Sequence, residues 1–214
     1  MEGSFTLPRE GSTSDPLRIA VLISGGGSGL ASILAYESLE PRSFRTVLVL
    51  ADSDEAGGLD HARKAGIDSI GIPLPRIVDK KEQRLKHEDL VHEQLEKYNT
   101  ELIALAGYMR IFTPVFVEKW KGRLINIHPS LLPKFKGKDA VKKALESKIK
   151  TSGCTVHFVD EGIDTGKIID QEKVLVSNDD DEETLAKKIL KKEHILYIRV
   201  IKELERIHHN VKIS

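Results

Sequence analysis

Two polar side chains at the end of a short apolar run could stabilise negative charge during a reaction. In RLINIHPSLLP, residues 123–133, Asn126 and His128 are two positions apart, so both side chains point to the same side of a strand that stops at Pro129. An amide and an imidazole placed together at a strand end are suited to stabilise an oxyanion. The alternative to a catalytic role is that both side chains are structural and have their hydrogen bonds satisfied within the protein.

A second segment, VHFVDEGIDTG at 156–166, brings a histidine and several carboxylates together around a turn. It contains His157, Asp160, Glu161 and Asp164. A carboxylate close to an imidazole raises the pKa of the histidine above its reference value of about 6.5 and can pass protons through a water molecule. Carboxylates in turns also cap the turn itself, so Asp164 has both a catalytic and a structural interpretation.

A glycine-rich segment, LISGGGSGL at 22–30, predicts a backbone site for a phosphate. It lies between an apolar run and a predicted helix, so its free amides and the positive helix end would face an anion. The residues concerned are Gly25, Gly26, Gly27, Ser28 and Gly29. No Gly-Lys-Ser/Thr follows, and Leu30 stands where a dinucleotide fingerprint has its third glycine. A tight turn without a ligand is the alternative.

Two isolated carboxylates, Glu193 and Asp52, have both a ligand-binding and a structural interpretation. Glu193 falls on the apolar stripe of the last predicted helix, four residues after Ile189 and three before Leu196, where it must find donors or stay protonated. It could bind ligand hydroxyls or lie at the edge of the stripe. Asp52 follows the second predicted strand and could serve a ribose or cap a helix.

These residues need a sheet that presents several strand ends at one edge, and the sequence predicts one. Apolar runs of strand length occur at 17–23, 46–51, 69–74 and 101–107. Helical stretches lie between and after them, near 28–37, 55–65, 80–98 and 113–120. The order βαβαβαβ predicts a Rossmann-like, doubly wound, mostly parallel sheet of the α/β class with helices on both faces.

From about residue 123 the pattern predicts an extension of the sheet and a long final helix. RLINIH is followed by a helical stretch near 137–147. The β-branched segments 155–159 and 167–176 flank a turn sequence, which predicts a hairpin-like extension. Apolar residues at three- and four-residue spacing predict a helix over roughly 181–208. Residues 1–16 are predicted to be a flexible leader, and 17–214 a single domain.

Composition excludes several classes of protein. The chain has 214 residues, with 33 Lys and Arg against 33 Asp and Glu, so a field strong enough to hold nucleic acid or an anionic membrane is not expected. No apolar run approaches the roughly 20 residues that span a bilayer. The single cysteine, Cys154, and the lack of clustered metal ligands argue against a zinc site and favour a reducing compartment, the cytoplasm.

Taken together, these segments resemble the phosphoribosylglycinamide formyltransferase family, folate-dependent enzymes of purine biosynthesis. The resemblance covers roughly residues 17–205. Four motifs in the family's order and spacing carry it: LISGGGSG, LAGYMRI at 105–111, NIHPSLLP at 126–133 and VHFVDEGIDTGKII at 156–169.

The resemblance implies transfer of a formyl group from 10-formyltetrahydrofolate, as co-substrate, to the amine of glycinamide ribonucleotide, without a metal. The implied catalytic set is Asn126, His128 and Asp164, with His157 in support. The glycine loop would bind the acceptor's phosphate, and Glu193 its ribose hydroxyls. The implied folate-binding residues are Arg84, Met109, Arg110, Ile111, Asn126, Asp160 and Asp164. Small molecules are therefore the expected partners, and both a monomer and a homodimer are open.

The chain departs from the family pattern mainly around the acceptor's phosphate. Gly29 replaces an asparagine, residues 51–53 stand where Ser, Asn and a basic residue are common, and Leu190 occupies a position that is often Lys, Arg or Gln. The segment 136–145 lacks a frequent histidine. These changes remove side-chain donors and leave the backbone amides, so they affect acceptor affinity more than formyl transfer.

Related enzymes share the same Asn, His and Asp and are competing interpretations. They include methionyl-tRNA formyltransferase, formyltetrahydrofolate hydrolase and sugar-nucleotide formyltransferases. The first carries an added C-terminal β domain and the hydrolase an N-terminal regulatory domain, and 214 residues leave room for neither. A non-catalytic folate- or nucleotide-binding module is the alternative from another class. The acceptor-side substitutions favour it, and the intact catalytic set opposes it.

Overall fold

A computed structural model describes residues 5–39 and 41–204, which form a seven-stranded sheet with helices on both faces. The strands are β1 (Leu17–Ile23), β2 (Phe44–Ala51), β3 (Ser69–Gly71), β4 (Leu102–Leu105), β5 (Leu124–His128), β6 (Thr151–Phe158) and β7 (Ile168–Leu175). The helices are α1 (Ser28–Glu37), α2 (Leu59–Lys64), α3 (Lys80–Lys97), α4 (Pro114–Lys119), α5 (Ala140–Glu146) and α6 (Glu182–Leu204).

The strand order is β3-β2-β1-β4-β5-β6-β7. Strands β1 to β5 are parallel, whereas β6 pairs antiparallel with β5 and β7 pairs antiparallel with β6. The winding reverses between β1 and β4, which is where doubly wound sheets bind ligands. The predicted Rossmann-like α/β class with a hairpin-like extension is confirmed.

Alternation along the central strands divides the core into two layers. In β1, Ile19 and Val21 point into the layer formed with α1, α2, α5 and α6, whereas Ala20 and Leu22 point into the layer formed with α3 and α4. All four side chains have no exposed surface. Burial on both faces explains why β1 reads as a continuous apolar run.

Several element boundaries differ from the predicted ones. Strand β3 ends at Gly71 and not at residue 74, because Pro73 has no N–H to donate to a neighbouring strand. Strand β6 starts at Thr151, four residues before the predicted start. Helix α6 begins at Glu182, where Asp181 accepts a hydrogen bond from the backbone N–H of Thr184 at 2.8 Å. Residues 205–208 of the predicted helix lie outside the described residues.

Residues 5–16, which were predicted to belong to a flexible leader, pack against the fold. Arg9 donates from Nε to Glu101 Oε1 at 2.5 Å and from Nη2 to Oε2 at 3.1 Å. The ring of Phe5 meets the ring of Phe158 edge-on, with centroids 5.0 Å apart. These partners are far away in sequence, so the composition of the segment did not reveal them. Within the described part of the chain, no helix has the length and apolar character needed to cross a membrane.

Candidate active site

Strands β5 and β6 place three of the predicted site residues next to one another. Asn126 and His128 lie two residues apart on β5, and the antiparallel register puts Asn126 opposite His157 of β6. Cross-strand partners on the same face of a sheet have Cβ atoms only about 5 Å apart. The fourth residue, Asp164, lies in the connection between β6 and β7, which folds back over this face.

Asp164 joins the cluster through contacts with the other three side chains. Its Oδ2 atom lies 3.2 Å from Nδ1 of His128, and its Oδ1 atom lies 3.4 Å from Nε2 of His157. Asn126 donates from Nδ2 to Oδ1 at 3.4 Å, and the same Nδ2 lies 3.2 Å from Nε2 of His157. The structure thus brings together the residues that the motifs suggested, while their catalytic roles stay predictions.

The loop around Asp164 is shaped by hydrogen bonds to carboxylates. Asp164 has a left-handed backbone conformation with φ of 51°, and its Oδ2 accepts the backbone N–H of Gly137 at 2.8 Å. Asp160 accepts the N–H of Gly162 at 3.1 Å and the hydroxyl of Thr165 at 2.7 Å. Asp160, a predicted folate-binding residue, therefore also stabilises the turn that presents Asp164.

The environment of Asp164 favours the ionised carboxylate. Burial by itself would raise its pKa. Hydrogen bonding with His157 and Gly137, together with the neighbouring imidazole of His128, outweighs burial and lowers the pKa to about 2. Asp164 is therefore a carboxylate that accepts hydrogen bonds across the pH range in which enzymes work.

The pKa of His128 is lowered, although a carboxylate lies next to its imidazole. Only 6% of the residue is exposed, and burial lowers its pKa below the usual value. The hydrogen bond with the carbonyl of Phe135 and the charge of Asp164 act in the opposite direction without overcoming burial. The sequence showed the carboxylate next to the imidazole but not the loss of solvent. His128 is therefore neutral at rest near pH 7.

His157 is positioned by the backbone and supports the amide of Asn126. It is 2% exposed, and its Nδ1 donates to the carbonyl of Phe158 at 2.8 Å. Its Nε2 atom lies 3.2 Å from Nδ2 of Asn126 and 3.4 Å from Oδ1 of Asp164, so an amide donor and a carboxylate acceptor are both within its reach. This arrangement orients the amide of Asn126 within the cluster.

The glycine loop follows β1 and opens α1. Gly27 precedes the helix with φ of 69° and offers no side-chain cap, so the first N–H groups of α1 are available to an anion. The carbonyl of Gly25 accepts the N–H of Gly58 at 2.9 Å. A Cβ atom at Gly27 would lie 2.8 Å from the Cα of Gly58. This close approach requires glycine and leaves Ser28 and Gly29 at the start of the helix.

The predicted folate segment follows β4 and lies beside the glycine loop. Ser24 donates its backbone N–H to the carbonyl of Gly107 at 3.1 Å, and its hydroxyl accepts the N–H of Met109 at 2.8 Å. Met109 is 69% exposed and Ile111 53% exposed, as suits residues that would border a ligand. Ser24 was missed from the sequence, although its place directly after β1 could have indicated it.

The two arginines predicted to bind folate have different surroundings. Arg110 donates from Nε to Asp52 at 2.6 Å, so the carboxylate of Asp52 holds an arginine and the suggested ribose role for Asp52 is not supported. Arg84 is exposed on α3. Neither of the two arginines contacts the Asn126 cluster through a hydrogen bond that the structure describes.

Glu193 lies on α6, on the other side of the sheet from the catalytic cluster. Burial raises its pKa to about 7. Its neighbours include Cys154 and Tyr197, and Tyr197 donates its hydroxyl to the carbonyl of Leu105 at 2.9 Å. Burial therefore favours the protonated form of this carboxylate.

Metal ligands are not grouped in the described residues: no set of three His, Cys, Asp or Glu there is arranged to hold an ion. The cluster of Asn126, His128, His157 and Asp164 instead offers an amide donor, imidazoles and one ionised carboxylate. These groups can stabilise an oxyanion and move a proton.

Sequence comparisons show which known enzymes this chain resembles. The family model described as Formyl transferase matches residues 17–201. Phosphoribosylglycinamide formyltransferase of Bacillus subtilis is 39% identical over 187 residues, which is 87% of this chain and 94% of that protein. The trifunctional purine biosynthetic protein adenosine-3 of Chironomus tentans is 44% identical over 86% of this chain, but the match spans only 13% of that protein.

Solved structures agree with the sequence comparisons. Glycinamide ribonucleotide transformylase 1 from Symbiobacterium toebii superimposes with a TM-score of 0.83 at 37% identity, covering 92% of each chain. Phosphoribosylglycinamide formyltransferase from Bacillus halodurans gives a TM-score of 0.82 at 34% identity, covering 92% of this chain and 100% of that one.

Proposed function

Because the chain belongs to the formyl transferase family, we propose that it transfers a formyl group from 10-formyltetrahydrofolate to the amine of glycinamide ribonucleotide. The convergence of Asn126, His128 and Asp164 within hydrogen-bonding range carries the proposal. The bacterial relatives of similar length and matching fold, which bear the name of this activity, support it. The chain spans a small part of the trifunctional relatives, so only this one activity is proposed.

In this reaction the neutral amine attacks the formyl carbon and a C–N bond forms. Negative charge then develops on the formyl oxygen. Asn126 is the donor that stabilises it, because its hydrogen bonds of 3.2 and 3.4 Å within the cluster are long and therefore weak. An oxyanion is a stronger acceptor and replaces one of them. Loss of one such donor typically costs about 3 kcal/mol of transition-state stabilisation.

The proton released by the amine needs an acceptor and a path to the leaving nitrogen. Asp164 is ionised and receives the proton directly or through a water molecule. His128, 3.2 Å away, rests neutral and takes this proton from Asp164, so the imidazole becomes charged as the oxyanion forms. When the C–N bond to the folate breaks, the proton passes to the folate nitrogen. Tetrahydrofolate and the formylated acceptor are the products, and neither a metal nor a nucleotide triphosphate takes part.

The remaining site residues bind the two substrates. Gly25 to Gly29 hold the acceptor's phosphate through backbone amides, and Glu193 accepts hydrogen bonds from its ribose hydroxyls. The folate lies against residues 109–111, next to Asn126 and the turn that contains Asp160 and Asp164. Arg84 contacts its acidic tail. The proposed location is the cytoplasm, as the single cysteine favours, although a relative from Arabidopsis thaliana is chloroplastic by name.

A coupled assay with and without acceptor tests the function. Purified protein is mixed with 10-formyltetrahydrofolate, and tetrahydrofolate release is followed as glycinamide ribonucleotide is added. We expect turnover that depends on the acceptor. Turnover without acceptor would indicate a hydrolase. Binding of folate without turnover under either condition would indicate a non-catalytic binding module.

A further inference from the structure

An open cavity lies beside the glycine loop, on the side of α1 that faces α2 and α6. Its volume is about 520 Å³. The lining residues are Gly26, Gly27, Ser28, Ala31, Ser32, His61 and His194. None of these described lining residues is acidic, and its side chains offer hydroxyl and imidazole groups next to the backbone amides that open α1. Such a lining is suited to an anion.

Two histidines from different helices enter this cavity, and neither was singled out from the sequence. His61 of α2 packs against the glycine loop, since a Cβ atom at Gly27 would lie 3.6 Å from Cδ2 of the imidazole. His194 of α6 follows Glu193. Its Nε2 atom is shielded from solvent and has no hydrogen-bond partner among the described residues.

A buried imidazole nitrogen without a partner is uncommon, because such groups are normally satisfied within the protein or by a ligand. His194 is also part of the lining of the cavity, and that lining indicates which ligand the cavity would take. The backbone amides of Gly27 and Ser28 already favour a phosphate, and a phosphate oxygen is a strong acceptor for an imidazole N–H. His61 contributes a second imidazole to the same lining.

We infer that His61 and His194 are side-chain determinants for the acceptor's phosphate monoester, which they bind together with the glycine loop. This inference rests on the proposed function. The two imidazoles take the place of side-chain donors that the chain lacks at Gly29, Ser53 and Leu190. Selectivity for a phosphorylated acceptor over its nucleoside form therefore resides in residues contributed by α2 and α6 as well as in the backbone of the loop.

Kinetics with a phosphorylated and a dephosphorylated acceptor test this assignment. In His61→Ala and His194→Ala, we expect the KM for glycinamide ribonucleotide to rise about tenfold, the usual effect of losing a hydrogen bond to a charged group. The kcat and the KM for 10-formyltetrahydrofolate should stay unchanged. Glycinamide riboside, which lacks the phosphate, should be used equally by wild type and variants. His61→Gln and His194→Asn retain N–H donors and should recover part of the affinity.

Lys64→Ala and Lys191→Ala are matched controls, because each removes an exposed cation from the same helix without touching the cavity. They should leave the KM for the ribonucleotide unchanged. An unchanged KM in both histidine variants would overturn the inference. An equal rise with ribonucleotide and riboside would also overturn it, because the histidines would then not discriminate the phosphate.

A binding experiment separates this inference from the proposed function. Ribose 5-phosphate and inorganic phosphate are titrated into the wild-type protein while histidine side-chain NMR signals are recorded, with assignments from the two alanine variants. We expect the signals of His61 and His194 to shift with both phosphates and not with ribose. These shifts would support the phosphate site even if the protein failed to formylate the ribonucleotide. Their absence would refute the site even if formylation occurred.

Discussion

The Oδ2 atom of Asp164 lies 3.2 Å from Nδ1 of His128, while Nε2 on the far side of the same ring lies 2.8 Å from the carbonyl oxygen of Phe135. Both oxygens are acceptors, so the imidazole satisfies both only when it carries two protons. Burial opposes that charge and lowers the pKa of His128. The two contacts of the ring therefore favour the doubly protonated imidazole, whereas the ring at rest carries only one of these two protons. Such a group is suited to become charged as an oxyanion forms.

Removing either partner of this pair should abolish most of the turnover. For His128→Ala and Asp164→Asn we expect kcat to fall about 10²- to 10³-fold, since each removes a proton acceptor or charge stabiliser in the transition state. Thermal unfolding should show that both variants stay folded. Glu161→Gln removes an exposed carboxylate from the same turn and serves as the control. Near-normal turnover in both cluster variants would refute the assigned roles.

The pH profile of the reaction should reflect a neutral His128. Because its pKa is lowered from about 6.5, the acceptor form dominates near neutral pH, and activity should fall only as pH drops below that value. Asp164, with a pKa of about 2, stays ionised throughout. The measurement is kcat/KM for the acceptor between pH 5 and 9. Activity that declines as pH rises through about 6.5 would show that the charged imidazole is the resting active form.

The local signals in the sequence predicted the central part of the fold well. Strand β1 and helix α1 have the predicted bounds, because a continuous apolar run and a glycine turn are properties of adjacent residues. The start of β6 and the packing of residues 5–16 were not predicted. Both depend on partners far away in sequence, such as Glu101 for Arg9, which composition does not show.

In the candidate site, too, features set by neighbouring residues were predicted, whereas features that depend on distant packing were not. The spacing of Asn126 and His128 predicted that they share a face of β5, and the register with β6 added His157. The lowered pKa of His128 was not predicted, because the burial that causes it comes from the surrounding loops. His61 and His194 were missed, since only the packing of α2 and α6 around α1 brings them to one cavity.

Glu193 should make the stability of the protein decrease as pH rises. Its pKa is about 7 in the fold against a usual 4.5. The unfolded chain therefore releases its proton first, and stability is lost between about pH 4.5 and 7. Removing the ionisable group in Glu193→Gln should raise the free energy of unfolding at pH 8 by about 2 kcal/mol, with little change at pH 4. Denaturant unfolding at both pH values measures this difference.

Glu203→Gln is the control for this experiment, because it removes an exposed carboxylate from the same helix. In the enzymatic assay, Glu193→Gln should also raise the KM for the acceptor while leaving kcat close to wild type, as expected for loss of uniform substrate binding. An unchanged KM would place Glu193 in a structural role only. A stability difference of the same size at pH 4 and pH 8 would contradict the raised pKa.

The N-terminal segment should contribute to stability through Glu101, which connects it to β1. Glu101 accepts from the side chain of Arg9 and from the backbone N–H of Arg18 at 2.9 Å. We expect Arg9→Ala to lower the free energy of unfolding by about 1 kcal/mol and Glu101→Ala by about 2 kcal/mol, since the latter also leaves the N–H of Arg18 without its acceptor. Arg45→Ala removes an exposed arginine from β2 and should have little effect.

The double variant Arg9→Ala/Glu101→Ala shows whether Arg9 and Glu101 stabilise the protein through their mutual contact. If the Arg9–Glu101 pair is the contact that holds the segment, Arg9→Ala should cost less stability in the Glu101→Ala background than in the wild type. Strictly additive losses would show that Arg9 acts elsewhere. The kcat should be unchanged in all three variants, because Glu101 precedes β4 and the catalytic cluster lies at the other end of the neighbouring β5. A stability change without a change in kcat thus separates the packing of residues 5–16 from the chemistry of the site.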